Sequence, residues 1–435
     1  MCRTVNGPAP REHGRPTGTP GGRRSGRFAA PAAVRGDRTA RPRDADAVNV
    51  QDPAHPRPAT HVPARPPTVG VEEEYFLVHP ATRRMEPAGA EVVARAGAVL
   101  GDLVTGEFTQ YQIEGRTPVC ATSGELRAEL TRVRAATVAA ARDAGLRLCA
   151  SGTPAVGGGV PDDIGDHPRY RAGADQYRAL LDDFAISAFH AHVHLPDREV
   201  AVLVTNHLRP WLPLLVAMSA NSPFHQGRDT GYASWRAVMR SGFPCLGPPP
   251  YAASPAEHQR IAEEMAASEA MLEPDMPFWD VRLNPRLPTL EIRTMDVLPD
   301  IDDTVALTAL IRALVVTAEA KVLRDGDPGP RTGGELLRAA YWRAARDGWS
   351  GAGVDALSGR ILPAPVQAER LVAYVRPALE EYGDLEEVAA FLRRLTERGC
   401  GARLQRAAAA MGAGPGAAVD EVIAATAAGR WALPR

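Results

Sequence analysis

Lysine is almost missing from this chain. Among its 50 basic residues only Lys321 is a lysine, and arginine supplies the rest. Any polyphosphate bound here has to be held by arginine, metal and backbone rather than by the lysine of a phosphate-binding loop. Neither G-x-x-x-x-G-K-S/T nor G-x-G-x-x-G occurs, so both common nucleotide-loop signatures are absent. The 5 cysteines (Cys2, Cys120, Cys149, Cys245 and Cys400) are scattered, with no C-x-x-C pair and no zinc spacing. That argues against a disulfide scaffold or a cysteine zinc site and suits a reducing, cytoplasmic protein. No run of about 20 apolar residues is visible, so no membrane span is expected. The N-terminal stretch also lacks the apolar core of a secretory signal. A net charge of -2 argues against nucleic acid or an anionic membrane as the main partner.

What is present suits a globular protein. At 435 residues, 45% hydrophobic and 23% charged, the chain is long enough for one large domain or two ordinary ones. Residues 1–67 are rich in Arg, Pro and Gly and nearly devoid of large apolar side chains. Such a segment cannot bury enough surface to offset its ordering entropy. It reads as a disordered N-terminal extension, or as the product of a mis-assigned start. Residues 68–435 read as the folded domain.

The most informative stretch is Thr68–Val78, T-V-G-V-E-E-E-Y-F-L-V. Alternation along a strand puts Glu72 and Glu74 on one face, and Glu73 on the other with Val69, Val71, Tyr75 and Leu77. Three further stretches have the same division. In Gln110–Val119, Gln110, Gln112, Glu114 and Arg116 oppose Tyr111, Ile113 and Val119. In Ile186–Leu195, His190, His192 and His194 oppose Phe189, Ala191, Val193 and Leu195. In the strand within Trp279–Val297, Thr289, Glu291, Arg293 and Met295 oppose Leu290 and Ile292.

Between and after these strands the pattern is helical. Glu86–Leu100 is Ala-rich, and Thr122-x-x-Glu125 is a capping box opening a helix expected to run to about Leu148. Gly152–Gly173 is a Gly/Pro/Asp-rich loop, and His207–Asn221 an apolar helix interrupted by Pro210 and Pro213. Further helices are expected over Pro255–Leu272, Asp300–Leu323, Glu335–Asp347, Val366–Tyr382, Leu385–Glu397 and Ala417–Ala427, mostly as packing elements.

Strands apolar on one face and charged on the other fit an α+β fold. Its largely antiparallel sheet would be backed by helices on one side and form an open, wet cleft on the other. Clustered carboxylates with so little lysine call for cations, and an oxygen-rich donor set with one histidine favours magnesium or manganese over zinc.

Several motifs resemble the glutamate–cysteine ligase type 2 family of ATP-dependent carboxylate–amine ligases. They are G-V-E-E-E-Y (Gly70–Tyr75), E-G-R-T-P-V-C (Glu114–Cys120), H-V-H-L-P-D-R-E (His192–Glu199), R-P-W-L-P-L-L (Arg209–Leu215), Ser219–Arg236 and P-T-L-E-I-R-T-M-D (Pro288–Asp296). The resemblance implies a glutamine synthetase-like fold and makes 68–435 a catalytic domain. It implies ATP and Mg2+ (or Mn2+) as cofactors, with Glu72, Glu74, Glu114, His192 and Glu291 as metal ligands. Arg293 and Glu291 become catalytic residues, and Arg293, Arg236 and Arg282 contacts to nucleotide or substrate. The implied reaction joins glutamate to an amine such as cysteine, through an acyl phosphate, giving an amide such as γ-glutamylcysteine. Small-molecule substrates are the implied partners, with no nucleic acid or membrane; a homo-oligomer is open. The chain departs from the family pattern at Phe189 and His190, where Cys-Gly is usual, and at His225, where tryptophan is common. Two rival readings stand beside this one: a metal-dependent hydrolase using His190, His192 and His194, and a non-catalytic homologue that binds nucleotide or amino acid.

Overall fold

The acidic stretch forms β1 (Val69–Val78) in the interior of a 7-stranded antiparallel sheet. Its companions are β2 (Val104–Gly106), β3 (Gln112–Arg116), β4 (Arg147–Cys149), β5 (Ala188–His194), β8 (Val281–Leu283) and β9 (Thr289–Asp296). The order is β2-β3-β1-β5-β9-β8, with β4 paired to the C-terminal end of β1. Two hairpins stand apart, β6 (Phe224–His225) with β7 (Arg228–Asp229) and β10 (Ala352–Val354) with β11 (Ile361–Pro363). The computed structural model describes residues 65–157, 164–165, 167–412 and 414–431. The expected extension therefore lies outside the described residues up to position 64, as do 158–163 and 166 of the Gly-rich loop.

Helices follow the chain as α1 (Gly89–Leu100), α2 (Ser123–Asp143), α3 (Pro168–Tyr177), α4 (Arg198–Leu208), α5 (Leu212–Ser219), α6 (Trp235–Arg240) and α7 (Pro255–Ala267). They continue as α8 (Ile301–Asp325), α9 (Gly334–Asp347), α10 (Ala364–Glu381), α11 (Leu385–Arg398), α12 (Gly401–Met411) and α13 (Pro415–Ala428). The apolar face of the sheet is covered in two parts. Val71, Phe189, Ala191, Val193, Leu290 and Ile292 pack with α4, α5, α8, α10 and α11. Tyr75, Leu77 and Ile113 pack with Val92 and Ala96 of α1 and Val133 and Ala140 of α2. Each fully buried Phe or Leu in these layers contributes about 1.5–3 kcal/mol. Phe76, Val78 and Cys149, on the opposite face of β1 and β4, lie under α13 and Trp431. The charged face is thus closed at that end by apolar packing.

Local chemistry explains most boundaries. Thr122 Oγ1 accepts from Glu125 N at 3.1 Å, and Glu125 Oε2 accepts from Ala121 N at 2.7 Å, the expected capping box. The helix ends earlier than expected. Gly145 takes a left-handed φ of 77°, and Arg147–Cys149 becomes β4 instead of a last helical turn. The helix expected at His207 starts at Arg198, capped by Asp197 Oδ1, and Pro210 lies in a 3-10 turn, Arg209–Trp211, that joins α4 to α5.

A membrane span was not expected, yet among the described residues one segment passes by length and composition. Arg198–Ser219 has a mean hydropathy of 1.3, and its apolar window is 89% buried inside the fold, as a core helix is.

Alternation fails at one place. The register between β5 and β9 shifts between Phe189 and Ala191, so Arg293 and Thr294 together oppose His190. This bulge turns Met295 from the charged face into the core, where it is fully buried against the apolar layer.

Candidate active site

Strand pairing converts shared faces into neighbours. Glu72 lies opposite Arg116 on β3 and His190 on β5, and Glu74 opposite Glu114. His192 faces Gly70 on one side and Glu291 on the other, and Glu291 faces Arg282 of β8. Residues scattered from 72 to 293 therefore meet on one patch of sheet. His194 lies at the end of β5, exposed beside Thr289, and joins none of the metal-competent groups among the described residues. A site of three histidines is not assembled.

Glu72 is the centre. His190 Nδ1 lies 3.0 Å from its Oε2 and His192 Nε2 3.3 Å from its Oε1. Burial opposes its charge, but the imidazoles of His190 and His192 closing on it win and hold the carboxyl far below the usual range. Glu291 is fully buried. Arg282 grips it with Nε at 2.8 Å and Nη2 at 3.1 Å, Asn284 Nδ2 donates at 2.9 Å, and Arg293 Nη1 donates to its Oε1. Against burial, Arg293 and Arg282 keep it ionised well below the ordinary carboxylate value. Arg293 Nη1 also approaches His190 Nδ1 at 3.4 Å, while its buried Nε has no hydrogen-bond partner. Burial and then Arg293 hold His190 down to about 3, a neutral imidazole. His192 is raised, because Glu72 and Glu291 outweigh its burial.

The second half of the patch is carboxylate alone. Glu74 Oε2 accepts from Ala188 N at 2.7 Å, and burial followed by repulsion from Glu107 pushes its pKa up to about 8. Glu114 is raised well above its usual value by burial, then by Glu72, Glu107 and Glu74. Its nearest cation, Arg116 Nε, stands 3.8 Å away. Glu107, on the segment after β2, was not foreseen. Its Oε2 accepts from its neighbour Phe108 N at 2.9 Å, and burial raises its pKa too. Seven residues before Glu114, it sits where no periodicity announces a direction.

The arginines differ. Arg282 and Arg293 face the patch. Arg236 is fully buried, donating to the carbonyls of Thr294 at 3.0 Å and Arg293 at 3.1 Å, while its Nε has no hydrogen-bond partner. Burial, then Arg240, lowers its pKa to about 10. It braces the backbone that carries Arg293 from below. On the apolar face Glu73 pairs with Arg134, both 2% exposed, and Thr304 Oγ1 donates to Glu73 at 3.2 Å.

Among the described residues three sets of donors have ligand atoms within 4.8 Å of one another: Glu72, His192 and Glu291; Glu72, Glu114 and His190; Glu74, Glu107 and Glu114. Raised carboxyls pressed together, and a buried His192 Nε2 without a hydrogen-bond partner, are what divalent cations would relieve. Carboxylate oxygen with imidazole nitrogen is a donor set for magnesium or manganese. The residues fit the metal that the sequence implied.

The fold has counterparts. The chain aligns with glutamate–cysteine ligase of Francisella tularensis in complex with AMP at TM-score 0.60 and 12% identity, covering 83% of this chain and 89% of that one. It also aligns with the bifunctional glutathione synthetase of Pasteurella multocida at TM-score 0.60 and 14% identity, covering 84% of this chain and spanning 53% of that enzyme's length. This is the glutamine synthetase-like ligase fold, and with the family evidence it makes the protein an ATP-dependent ligase. Within that class the chain belongs to glutamate-cysteine ligase family 2, whose family profile matches residues 68–427. A relative in Salinispora tropica, provisionally named glutamate–cysteine ligase 2, is 42% identical over 351 residues, which is 80% of this chain and 92% of the relative. One in Saccharopolyspora erythraea, provisionally named glutamate–cysteine ligase 2-2, is 41% identical over 383 residues, 86% and 97% of the respective chains.

Proposed function

We propose that the protein forms a γ-glutamyl amide from glutamate and an amine, with cysteine as the first acceptor to test. One observation carries this reading. Strand register brings Glu72, Glu74, Glu114, His192 and Glu291 onto one patch with Arg282 and Arg293 beside them. A carboxylate oxygen of glutamate would attack the γ-phosphorus of ATP, breaking its bond to ADP and giving an acyl phosphate. The amine nitrogen would then attack the acyl carbon, phosphate would leave with the C–O electrons, and the nitrogen would lose its proton to the departing phosphate.

Divalent cations held by Glu72, Glu74, Glu107, Glu114, His192 and Glu291 would supply neutralisation of the phosphate charge. The chain's own residues do the rest. Arg282 and Asn284 fix the Glu291 carboxylate, which in turn orients Arg293 Nη1. That leaves Nη2 of Arg293, which none of these bonds uses, to donate to an anionic phosphoryl oxygen. Arg236 holds the Arg293 backbone and is a positioning residue in this scheme.

The test incubates the purified protein with ATP, Mg2+ or Mn2+, glutamate and a panel of amino acids, following ADP release and product mass. Glutamate-dependent ADP release with a new amide is the expected result, and Glu72→Gln should lower it by about a hundredfold or more. Nucleotide binding without ADP release on any acceptor would instead support a non-catalytic homologue. Full turnover in Glu72→Gln would sink the site assignment.

A further inference from the structure

We propose that His190 is a direct nitrogen ligand to a divalent cation in this cleft and tilts that site toward manganese over magnesium. The inference rests on the proposed function for the presence of cations, and adds which nitrogen they meet. His190 is 2% exposed and sits where the bulge between β5 and β9 places one residue of β5 opposite two of β9. Its ring stands among three carboxylates: Nδ1 is 3.0 Å from Glu72 Oε2 and 3.9 Å from Glu291 Oε1, and Nε2 is 3.5 Å from Glu74 Oε1.

Nδ1 also meets Arg293 Nη1 at 3.4 Å, but the shorter contact, to the Glu72 carboxylate, sets the tautomer. Nδ1–H donates to Glu72, which orients the ring much as a carboxylate orients a metal-bound histidine from behind. Nε2 is then left with its lone pair, facing the Glu74 oxygen that Ala188 N does not occupy. A positive charge, proton or metal ion, has to join these two atoms across 3.5 Å, and a divalent cation that displaces the proton meets both. One ligand atom each from Glu72, Glu114 and His190 lies within 4.8 Å of the others, so further carboxylate oxygens stand close to the ring. A second observation points the same way. His192 Nε2, buried and without a hydrogen-bond partner, aims at the other oxygen of Glu72 at 3.3 Å. Glu72 is thus flanked by two imidazoles, and the cleft has nitrogen on both sides of its central carboxylate.

Nitrogen changes which ion is preferred. Magnesium favours all-oxygen octahedra and retains water, whereas manganese accepts imidazole readily. A competing role for His190 is a hydrogen-bond donor that only orients Glu72. The two roles differ in whether the ring nitrogen touches metal.

Pulsed EPR of the full chain with substoichiometric Mn2+, without ATP or substrates, reads that contact as nitrogen hyperfine coupling. The expected result is coupling in the wild type that persists in His192→Gln and weakens in His190→Gln. Competition titration should show the Mn2+ over Mg2+ preference falling by at least about tenfold in His190→Gln. Loss of all nitrogen coupling in a folded His192→Gln overturns the ligand assignment, and an unchanged preference in His190→Gln overturns the selectivity. If His190→Gln fails to fold, the comparison of wild type with His192→Gln still decides. Because Mn2+ is read without ATP, this failure is separate from absence of ADP release, which tests the reaction. No Mn2+ binding to the wild type would overturn the inference together with the metal assignment.

Discussion

Glu72 and Glu107 show what single residues reveal and conceal. Glu72 announces itself, because alternation in β1 aims it at the same face as Glu74, and strand register sets His190 directly opposite. Glu114, His192, Glu291 and Arg293 are legible for the same reason: a strand's period fixes the direction of every side chain it carries. Glu107 sits between β2 and β3 in irregular backbone, where no period exists, and only the fold brings it to Glu74 and Glu114. Glu107→Gln should weaken divalent-cation binding by about tenfold or more, measured by calorimetry, despite its silent sequence context. Arg293→Lys tests a different property. A lysine keeps the charge but lacks the fork that serves Glu291 and a phosphoryl oxygen together. ADP release should fall by about a hundredfold, with a smaller change in KM for ATP.

At the scale of elements, the face that makes the site depends on a pair beneath it. Arg134 of α2 donates to Glu73, to Tyr75 Oη at 3.2 Å and to the Leu298 carbonyl at 3.0 Å, tying β1 to α2 and to the entry of α8. Glu73 is therefore the structural member of the three adjacent glutamates, as its position on the apolar face implied. Removing one partner of a buried pair strands the other, so Arg134→Met should cost about 3–5 kcal/mol in urea unfolding. An unchanged midpoint would mean that Glu73 takes up a proton or finds water instead. The longer elements were readable from capping and amphipathic period. β2 and β4, three residues each, are too short to show a period, and α12 (G-A-R-L-Q-R-A-A-A-A-M) is too uniformly small to declare a face. Met295 misled because a bulge, set by pairing with β5, breaks the alternation that a lone strand suggests.

For the whole molecule, the cleft couples stability, pH and metal. Glu74, Glu107 and Glu114 are all raised, chiefly by burial, and Glu74 moves from an ordinary 4.5 to about 8. Below 4.5 folded and unfolded chains both carry the Glu74 proton, so that group favours neither. Between 4.5 and about 8 only the folded chain holds it, the unfolded chain gains by releasing it, and stability falls as pH rises. Glu72 and Glu291 act in the opposite sense. Their depressed values stabilise the fold above the ordinary carboxylate range, and that contribution is lost only in acid. The metal-free protein should therefore show a Tm that declines from about pH 6.5 to about pH 8, above the range in which His190, neutral in the fold, adds stability as pH rises. Divalent cations displace the raised protons, so saturating Mn2+ should flatten or reverse the decline, and its affinity should grow with pH over the same window. Scanning fluorimetry of chelated and Mn2+-loaded samples across that range checks both. A metal-free Tm that climbs with pH would mean that these carboxylates are already ionised and solvated in the fold, which the crowding of Glu74, Glu107 and Glu114 argues against.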